Sequence, residues 1–147
     1  MSIKSTFAIP FAKQVRKQVY KWANNPHKTQ EKVFKYLVSR AKNTAFGKDC
    51  DFKNIKTYGD FKSRVKINDY EALRPYVDRV VAGEKDVLWT GKPLYFAKTS
   101  GTTSGAKYIP ITKESMPTHI KAARNALLLY IAETKDASFV DGKMIFL

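Results

Sequence analysis

The chain has 147 residues, the size of one ordinary domain, and 44% of them are hydrophobic, enough to bury a core. No stretch approaches the roughly 18 apolar residues that a membrane-spanning helix needs. The N-terminus lacks the apolar centre of a signal peptide, since Lys13, Arg16 and Lys17 interrupt it. We therefore expect a cytoplasmic protein without a transmembrane segment.

The positive charge is concentrated in the first half. The net charge is +14, and residues 1–66 hold 16 Lys and Arg against 4 Asp and Glu, whereas residues 67–147 hold 11 against 9. Such a basic half can bind nucleic acid, lie on a membrane surface, face an acidic surface elsewhere in the protein, or simply face solvent. We favour the last two, because Tyr20, Trp22 and Phe34 fit apolar helical stripes better than base-stacking platforms.

Cysteine and histidine offer no site. Cys50 is the single cysteine, so the chain cannot form an internal disulfide, and Asp49 and Asp51 disfavour its thiolate. His27 and His119 have no second ligand at metal-binding spacing, and we expect no metal site made of protein ligands.

Residues 1–92 are predicted to be mainly helical. The 3–4 spacing of apolar residues predicts one helix from about Pro10 to Asn24 and a second from about Thr29 to Asn43, with Thr29 as N-cap and Gly47 just beyond the end. The apolar faces are Ala12, Val15, Val19 and Trp22 in the first helix, and Val33, Phe34, Leu37, Val38 and Ala41 in the second.

Shorter helices follow. Tyr58, Phe61 and Val65 indicate one or two helical turns. Pro75 biases the preceding residue away from helical geometry, which separates the segment at 69–73 from a short helix over 76–81 that ends at Gly83.

Residues 93–147 are predicted to contain strands as well as helix. A strand is predicted over 93–97 and another over 108–112, where Pro110 implies an edge or irregular pairing. A long helix from about Lys113 to Lys135 follows, with Thr112 as a candidate cap. Its expected apolar period is Ile120, Ala123, Leu127, Tyr130 and Ile131. The final run 144–147 resembles a buried strand, from which we expect an α/β domain that is incomplete at its C-terminus.

The connection between the two predicted strands carries the chemistry. It contains two glycines, five hydroxyl side chains and a cation, in the order Thr99, Ser100, Gly101, Thr102, Thr103, Ser104, Gly105, Ala106 and Lys107. Glycines allow successive N–H groups to converge on an anion, hydroxyls add donors, and a lysine adds positive charge. Neither the Walker spacing nor the dinucleotide-binding spacing is present. On composition alone, such a run is also typical of a plain surface turn.

This loop resembles the signature loop of adenylate-forming enzymes. The usual second glycine follows the double threonine directly, whereas here Ser104 intervenes before Gly105. That spacing, with the flanks 95–98 and 108–112 and the segments 43–48, 58–61, 69–71 and 74–76, is similar to the auxin-responsive promoter (Gretchen Hagen) family of acyl-acid amido synthetases in its bacterial form.

The resemblance implies a helical segment leading into the first strands and a long helix of an adenylate-forming large domain. It implies an ATP-dependent enzyme that activates a carboxylate as acyl-AMP and transfers the acyl group to an amine such as an amino acid, with Mg²⁺ offsetting phosphate charge. Thr99 to Gly105 and Lys107 would hold the ATP phosphates, and Arg124 is a candidate for the substrate carboxylate. Arg124 can equally be an exposed or capping helix residue.

We expect the 147 residues to be the N-terminal piece of such an enzyme, with no ligase activity without the rest of the protein. The alternative from a different class is a basic nucleic-acid-binding module whose loop is only a turn.

Overall fold

The computed structural model describes residues 3–99 and 105–143. The α-helices in these ranges are α1 (Ile3–Ala23), α2 (Pro26–Ala41), α3 (Ala45–Asp49), α4 (Tyr58–Arg64), α5 (Tyr70–Val81) and α6 (Met116–Thr134). The strands are β1 (Tyr95–Lys98) and β2 (Tyr108–Ile111), and two 3-10 turns cover Phe52–Asn54 and Ser138–Asp141. This mainly helical architecture with a small sheet confirms the predicted α/β class. The strand predicted over 144–147 lies outside the described residues.

The chain divides into two compact units, Met1–Thr29 with Pro117–Leu147, and Gln30–Met116. In the first unit, α1 and the end of α6 share one apolar core. Its buried residues are Ala12, Val15, Leu128, Ile131, Ala132 and Ala137. At the edge of that core, the Arg16 guanidinium lies 3.4 Å from the Glu133 carboxylate. Exposed pairs of this kind stabilise a fold by less than about 1 kcal/mol, so the apolar contacts hold this unit together.

Two predictions for this unit need correction. Helix α1 begins at Ile3, and Pro10 lies inside it, because Ala8 and Ile9 also pack against the core and offset the backbone hydrogen bond that proline removes. Tyr20 and Trp22 are about half exposed, at 48% and 54%. They are therefore not core residues, although their spacing predicted that they would be.

The buried face of α6 also differs from the prediction. Ile131 is buried as expected, but Ile120 and Tyr130 are at least half exposed, and the other buried residues of the helix are Leu128 and Ala132. The helix is apolar on several sides, so its period alone did not identify the side that packs.

The second unit is built around aromatic side chains. Val38, Ala41, Phe52 and Ile55 are buried, and Phe34, Phe46 and Phe61 pack against them. The rings of Phe34 and Phe61 meet edge to face at 5.6 Å, as do those of Phe46 and Phe52 at 5.8 Å, the arrangement that aromatic pairs favour.

Helix α2 begins three residues before the predicted N-cap. Pro26 occupies its first position, where the missing N–H costs nothing, and the Thr29 hydroxyl instead donates to the Trp22 carbonyl at 3.2 Å. Of the predicted apolar face, Val33 and Leu37 remain about half exposed.

A tight turn joins α2 to α3. The buried Thr44 hydroxyl donates to the Ala41 carbonyl at 2.7 Å and accepts the Gly47 N–H at 3.0 Å, so Thr44 is the N-cap of α3. Gly47 lies inside α3 rather than at the end of α2. A side chain there would collide with the chain, because an added Cβ would lie 2.0 Å from the Ala41 carbonyl oxygen.

Helices α4 and α5 lead to the hairpin. Thr57 and Asp60 form a capping box at the start of α4, confirming the turns predicted there. Helix α5 is continuous through Pro75, contrary to the predicted break. The Asp69 cap at its start and the burial of Val77 and Val80 offset the single backbone bond that Pro75 removes. Gly83, with φ of 90°, ends this segment as predicted.

Strands β1 and β2 pair antiparallel, with Lys98 opposite Tyr108 and Phe96 opposite Pro110. The described sheet has two strands, so each is an edge, which is where the sequence placed Pro110. Thr112 and Ser115 exchange side-chain and backbone bonds at 3.0 and 3.1 Å before α6 begins, so Thr112 fixes this entry as predicted.

Gly47→Ala should lower the free energy of unfolding by about 3 kcal/mol, because the added methyl group overlaps backbone that cannot move aside. Gly59→Ala is the matched control: it lies in α4 with no atom closer than 3.5 Å to the added Cβ, and alanine favours helix by up to about 1 kcal/mol. Urea unfolding of both variants measures the difference. Equal stabilities would contradict the packing described for the α2–α3 turn.

Tyr76 should make stability depend on alkaline pH. Its hydroxyl donates to the Asp49 carboxylate at 2.7 Å, and this bond, together with burial, raises the pKa of Tyr76 to about 12. Since the folded pKa exceeds the unfolded value of about 10, the stabilisation is complete below that pH and is lost as the pH rises towards 12. Tyr76→Phe should flatten the decline of unfolding free energy between about pH 10 and about pH 12. An unchanged decline would show that another group causes it.

Candidate phosphate-binding site

The hairpin closes the base of the predicted phosphate loop. The Thr99 N–H donates to the Lys107 carbonyl oxygen at 3.0 Å, one step beyond the last paired residues of the strands. The loop therefore begins and ends at a single backbone hydrogen bond. Of the predicted phosphate-binding residues, Thr99, Gly105 and Lys107 are described, whereas Ser100, Gly101, Thr102, Thr103 and Ser104 lie outside the described residues.

Gly105 has φ of 79°, in the left-handed region. No atom lies within 4 Å of a Cβ built there, so the requirement for glycine comes from the backbone angle and not from lack of space. A left-handed residue reverses the direction of neighbouring N–H groups, which is how short loops form concave sites for anions.

Lys107 provides the positive charge at the end of the loop. Its Nζ atom lies 5.4 Å from the centroid of the Tyr70 ring, within the range of cation–π attraction. None of the ion pairs formed among residues 3–99 and 105–143 includes Lys107. No carboxylate of the described chain therefore neutralises its ammonium, and a phosphate would meet an uncompensated charge.

Tyr70 also bonds the backbone beside Lys107. Its hydroxyl oxygen accepts the Tyr108 N–H at 2.9 Å. Because the Thr99–Lys107 bond flanks the Lys98–Tyr108 pair, the antiparallel alternation turns the Tyr108 N–H away from β1. Tyr70 supplies the acceptor that this outward N–H needs, and two residues later on the same side Pro110 has no N–H to satisfy.

The inner face of the hairpin packs against the rest of its unit. Phe96 and Tyr108 meet edge to face at 6.2 Å. A cavity of about 20 Å³ lies beneath Pro110, next to Trp89 and Val80. Within the described residues, the buried Trp89 Nε1 has no hydrogen-bond partner. The opposite face is open, with Tyr95 and Ile109 more than half exposed.

Arg124 belongs to the other unit. It is exposed on α6, where its guanidinium lies 5.9 Å from the centroid of the Phe11 ring and donates to the neighbouring Asn125 side chain at 3.1 Å. No carboxylate within the described ranges pairs with it. Its role as a substrate contact stays a prediction.

Other reactive groups in the described ranges form no second centre. Burial and the charge of Asp49 raise the pKa of the Cys50 thiol, in the direction expected of an unreactive cysteine. No group of three or more His, Cys, Asp or Glu residues in these ranges is placed to hold a metal ion. None of the helices there has the length and apolar character of a membrane span.

Part of the basic excess lines one groove of the second unit. The groove has a volume of about 360 Å³. Its floor is the buried apolar core of the unit, and its rim carries Lys35, Lys42, Lys53 and Lys56. Lys35 is already paired with Glu31 at 2.5 Å. The groove is separate in sequence from the loop, and its rim lysines are the part of the basic excess that lies together in this unit.

Sequence reasoning missed the role of Tyr70. Residues 69–71 belong to a segment that the sequence pattern separates from the following helix, and nothing local in them indicates a contact with residues 107 and 108. The usable signal was Asp69, a helix-capping residue that makes Tyr70 the first residue of a helix.

Comparison with known proteins agrees with this architecture. The profile described as the GH3 family N-terminal domain matches residues 15–146. The chain is 30% identical over 102 residues to the indole-3-acetic acid-amido synthetase GH3.2 of Arabidopsis thaliana, covering 68% of the chain and 19% of the relative. It is 33% identical over 109 residues to GH3.15 of the same plant, covering 72% and 18%. It is 23% identical over 120 residues to the jasmonoyl–L-amino acid synthetase JAR4 of Nicotiana attenuata, covering 80% and 20%. No solved structure gave a significant match.

The helices and hairpin form an α/β segment, and the matched family model describes an N-terminal domain. The chain belongs to the GH3 family. It spans about a fifth of the length of these three relatives.

Proposed function

We propose that this chain supplies the phosphate-binding N-terminal part of an ATP-dependent acyl-acid amido synthetase. The observation that carries the proposal is the closed hairpin, which ends its Gly-rich loop at Lys107 with no carboxylate of the described chain paired to the ammonium. The Ser104–Gly105 spacing further favours the bacterial branch of the family. We also propose a cytoplasmic location.

The proposed reaction has two steps. A carboxylate oxygen of the acyl acid attacks the α-phosphorus of ATP, and the bond to the departing pyrophosphate breaks, which gives acyl-AMP. The nitrogen of an amine, such as an amino acid, then attacks the acyl carbon. AMP leaves, the nitrogen loses a proton, and an amide remains.

The loop would act in the first step. Negative charge moves onto the departing pyrophosphate, and fixed N–H, O–H and ammonium donors stabilise that charge more strongly than water does. Thr99, Gly105 and Lys107 at the base of the loop are proposed phosphate contacts, together with Ser100, Gly101, Thr102, Thr103 and Ser104.

ATP and Mg²⁺ are the proposed cofactors. Mg²⁺ usually binds through substrate phosphates and one or two carboxylates, and it offsets phosphate charge. Among residues 3–99 and 105–143, no group of three or more His, Cys, Asp or Glu is placed to hold a metal ion by itself, and we assign Mg²⁺ no step here.

The proposal predicts that Lys107→Ala weakens anion binding by the 147-residue chain. Tripolyphosphate is a suitable probe, because it carries the phosphates of ATP without the adenosine. During a titration with tripolyphosphate, the amide NMR signals of Thr99, Gly105 and Lys107 should shift. Lys107→Ala should bind the probe about tenfold more weakly, since a hydrogen bond to a charged group contributes about 1.5 kcal/mol.

Lys113→Ala is the matched control, because it removes the same charge from an exposed position just beyond β2. Equal weakening in both variants would mean that tripolyphosphate senses only net charge, and the loop would lose its assigned role. The chain by itself should form no acyl-AMP.

Arg124 is proposed to pair with the carboxylate of the acyl acid. In the complete enzyme, Arg124→Ala should raise the KM for the acid about 10-fold or more in carboxylate-dependent ATP–pyrophosphate exchange, because a bidentate charged pair is lost. Lys121→Ala, one turn earlier on α6, controls for charge. An unchanged KM for the acid would leave Arg124 as an exposed helix residue.

Nucleic-acid binding is the second candidate, favoured by the lysine-rimmed groove and by the exposed Tyr20 and Trp22. Binding of a single-stranded oligonucleotide should then fall steeply with salt. It should weaken when Lys42 and Lys53 are replaced by Glu and persist in Lys107→Ala, which is the opposite of the pattern expected for tripolyphosphate.

A further inference from the structure

Tyr70 contacts two consecutive residues at the outgoing end of the loop. Its hydroxyl oxygen accepts the Tyr108 N–H at 2.9 Å, and its ring lies 5.4 Å from the Lys107 Nζ atom. One side chain thus holds both the backbone that follows Lys107 and the ammonium of Lys107 itself.

One contact restricts the backbone at Lys107, and the other restricts the Lys107 side chain. The hydrogen bond fixes where β2 begins, and so fixes the Cα of Lys107 relative to α5. The ring limits where the long lysine side chain places its charge. A lysine gives up rotational freedom when it binds an anion, and a side chain that is already held gives up less.

Tyr70 is itself held firmly at the first position of α5. The Asp69 carboxylate accepts the Ala72 N–H at 2.8 Å and caps the helix. Later in the same helix, Val77 and Val80 are buried, with 4% and 6% of their surface exposed. The position of the Tyr70 ring is therefore set by the packing of the whole helix and not by the loop.

We propose that Tyr70 is a positioning residue for phosphate binding, which holds the Lys107 ammonium at the end of the loop in the orientation that a phosphate group needs. The inference rests on the proposed phosphate-binding function of the loop. An ammonium has three N–H donors, so the contact with the ring leaves donors for phosphate oxygens. The ring and the phosphate then bind the same lysine together.

Two substitutions separate the contacts. Tyr70→Phe keeps the ring and removes the hydroxyl acceptor, whereas Tyr70→Leu removes both. Tyr76→Phe is the control, because it removes a hydroxyl hydrogen bond from the same helix to Asp49, a residue of α3 and not of the hairpin. Each is made in the 147-residue chain, with and without Lys107→Ala, and titrated with tripolyphosphate. Tyr70→Met replaces the leucine variant if that variant does not fold.

Tyr70→Phe should weaken binding severalfold and speed hydrogen exchange at the Tyr108 amide. Tyr70→Leu should bind about two- to fivefold more weakly still, the range of an exposed cation–π contact. In the Lys107→Ala background the phenylalanine and leucine variants should bind alike. A role in folding alone would not produce this dependence on Lys107. Tyr76→Phe should bind as the wild type does.

Three results would overturn the assignment: wild-type affinity in both Tyr70 variants, tighter binding by the leucine variant, or a Phe–Leu difference that persists without Lys107. Tighter binding would mean that the ring competes with phosphate for the ammonium. If Lys107→Ala abolishes binding while the Tyr70 variants bind normally, the phosphate site stands and only the role of Tyr70 fails. If the wild-type chain binds no tripolyphosphate, both proposals fail.

Discussion

The hydrogen bond from the Thr99 N–H to the Lys107 carbonyl is the constraint on which the candidate site depends. It fixes the antiparallel register, and the register sends the Tyr108 N–H outward, where Tyr70 accepts it. A shift of one residue would turn the Lys107 side chain to the other face of the hairpin, away from the ring. The base of the loop and the side of the hairpin on which its cation lies are therefore consequences of one pairing.

Packing beneath the hairpin keeps that pairing in place. The turn at Thr44 and Gly47 sets α3, whose first amides donate to the carbonyls of Asp86 and Val87 at 2.8 and 3.0 Å. Those residues lead into the chain that becomes β1. Backbone hydrogen bonds therefore connect the aromatic core of the second unit to the chain that leads into the hairpin. Helix α5 is connected to the hairpin through Tyr70.

The open surfaces bear on how such a chain works in a longer enzyme. The outer face of the hairpin exposes Tyr95 and Ile109, and Ile67 is fully exposed. We propose that these apolar side chains meet further polypeptide, because the matched part of the chain covers 19% and 18% of the length of two GH3 relatives. The reaction proposed above requires adenosine and acyl contacts as well as phosphate contacts, and the loop accounts for the last alone.

The sequence by itself determined the α/β class, the two strands, the glycine-rich connection between them and the family. Each depends on local chemistry: a glycine at 105 for a left-handed angle, a proline at 110 for an edge, and hydroxyls with a lysine for an anion. The sequence predicted which segments are helical better than which side of each helix is buried, as the exposed Val33, Trp22 and Ile120 show. Periodicity identifies the apolar sides of a helix but not the side that packs against the rest of the protein. Only the tertiary structure placed Tyr70 against Lys107 and Tyr108, since a contact across 37 residues depends on how α5 packs and leaves no local pattern.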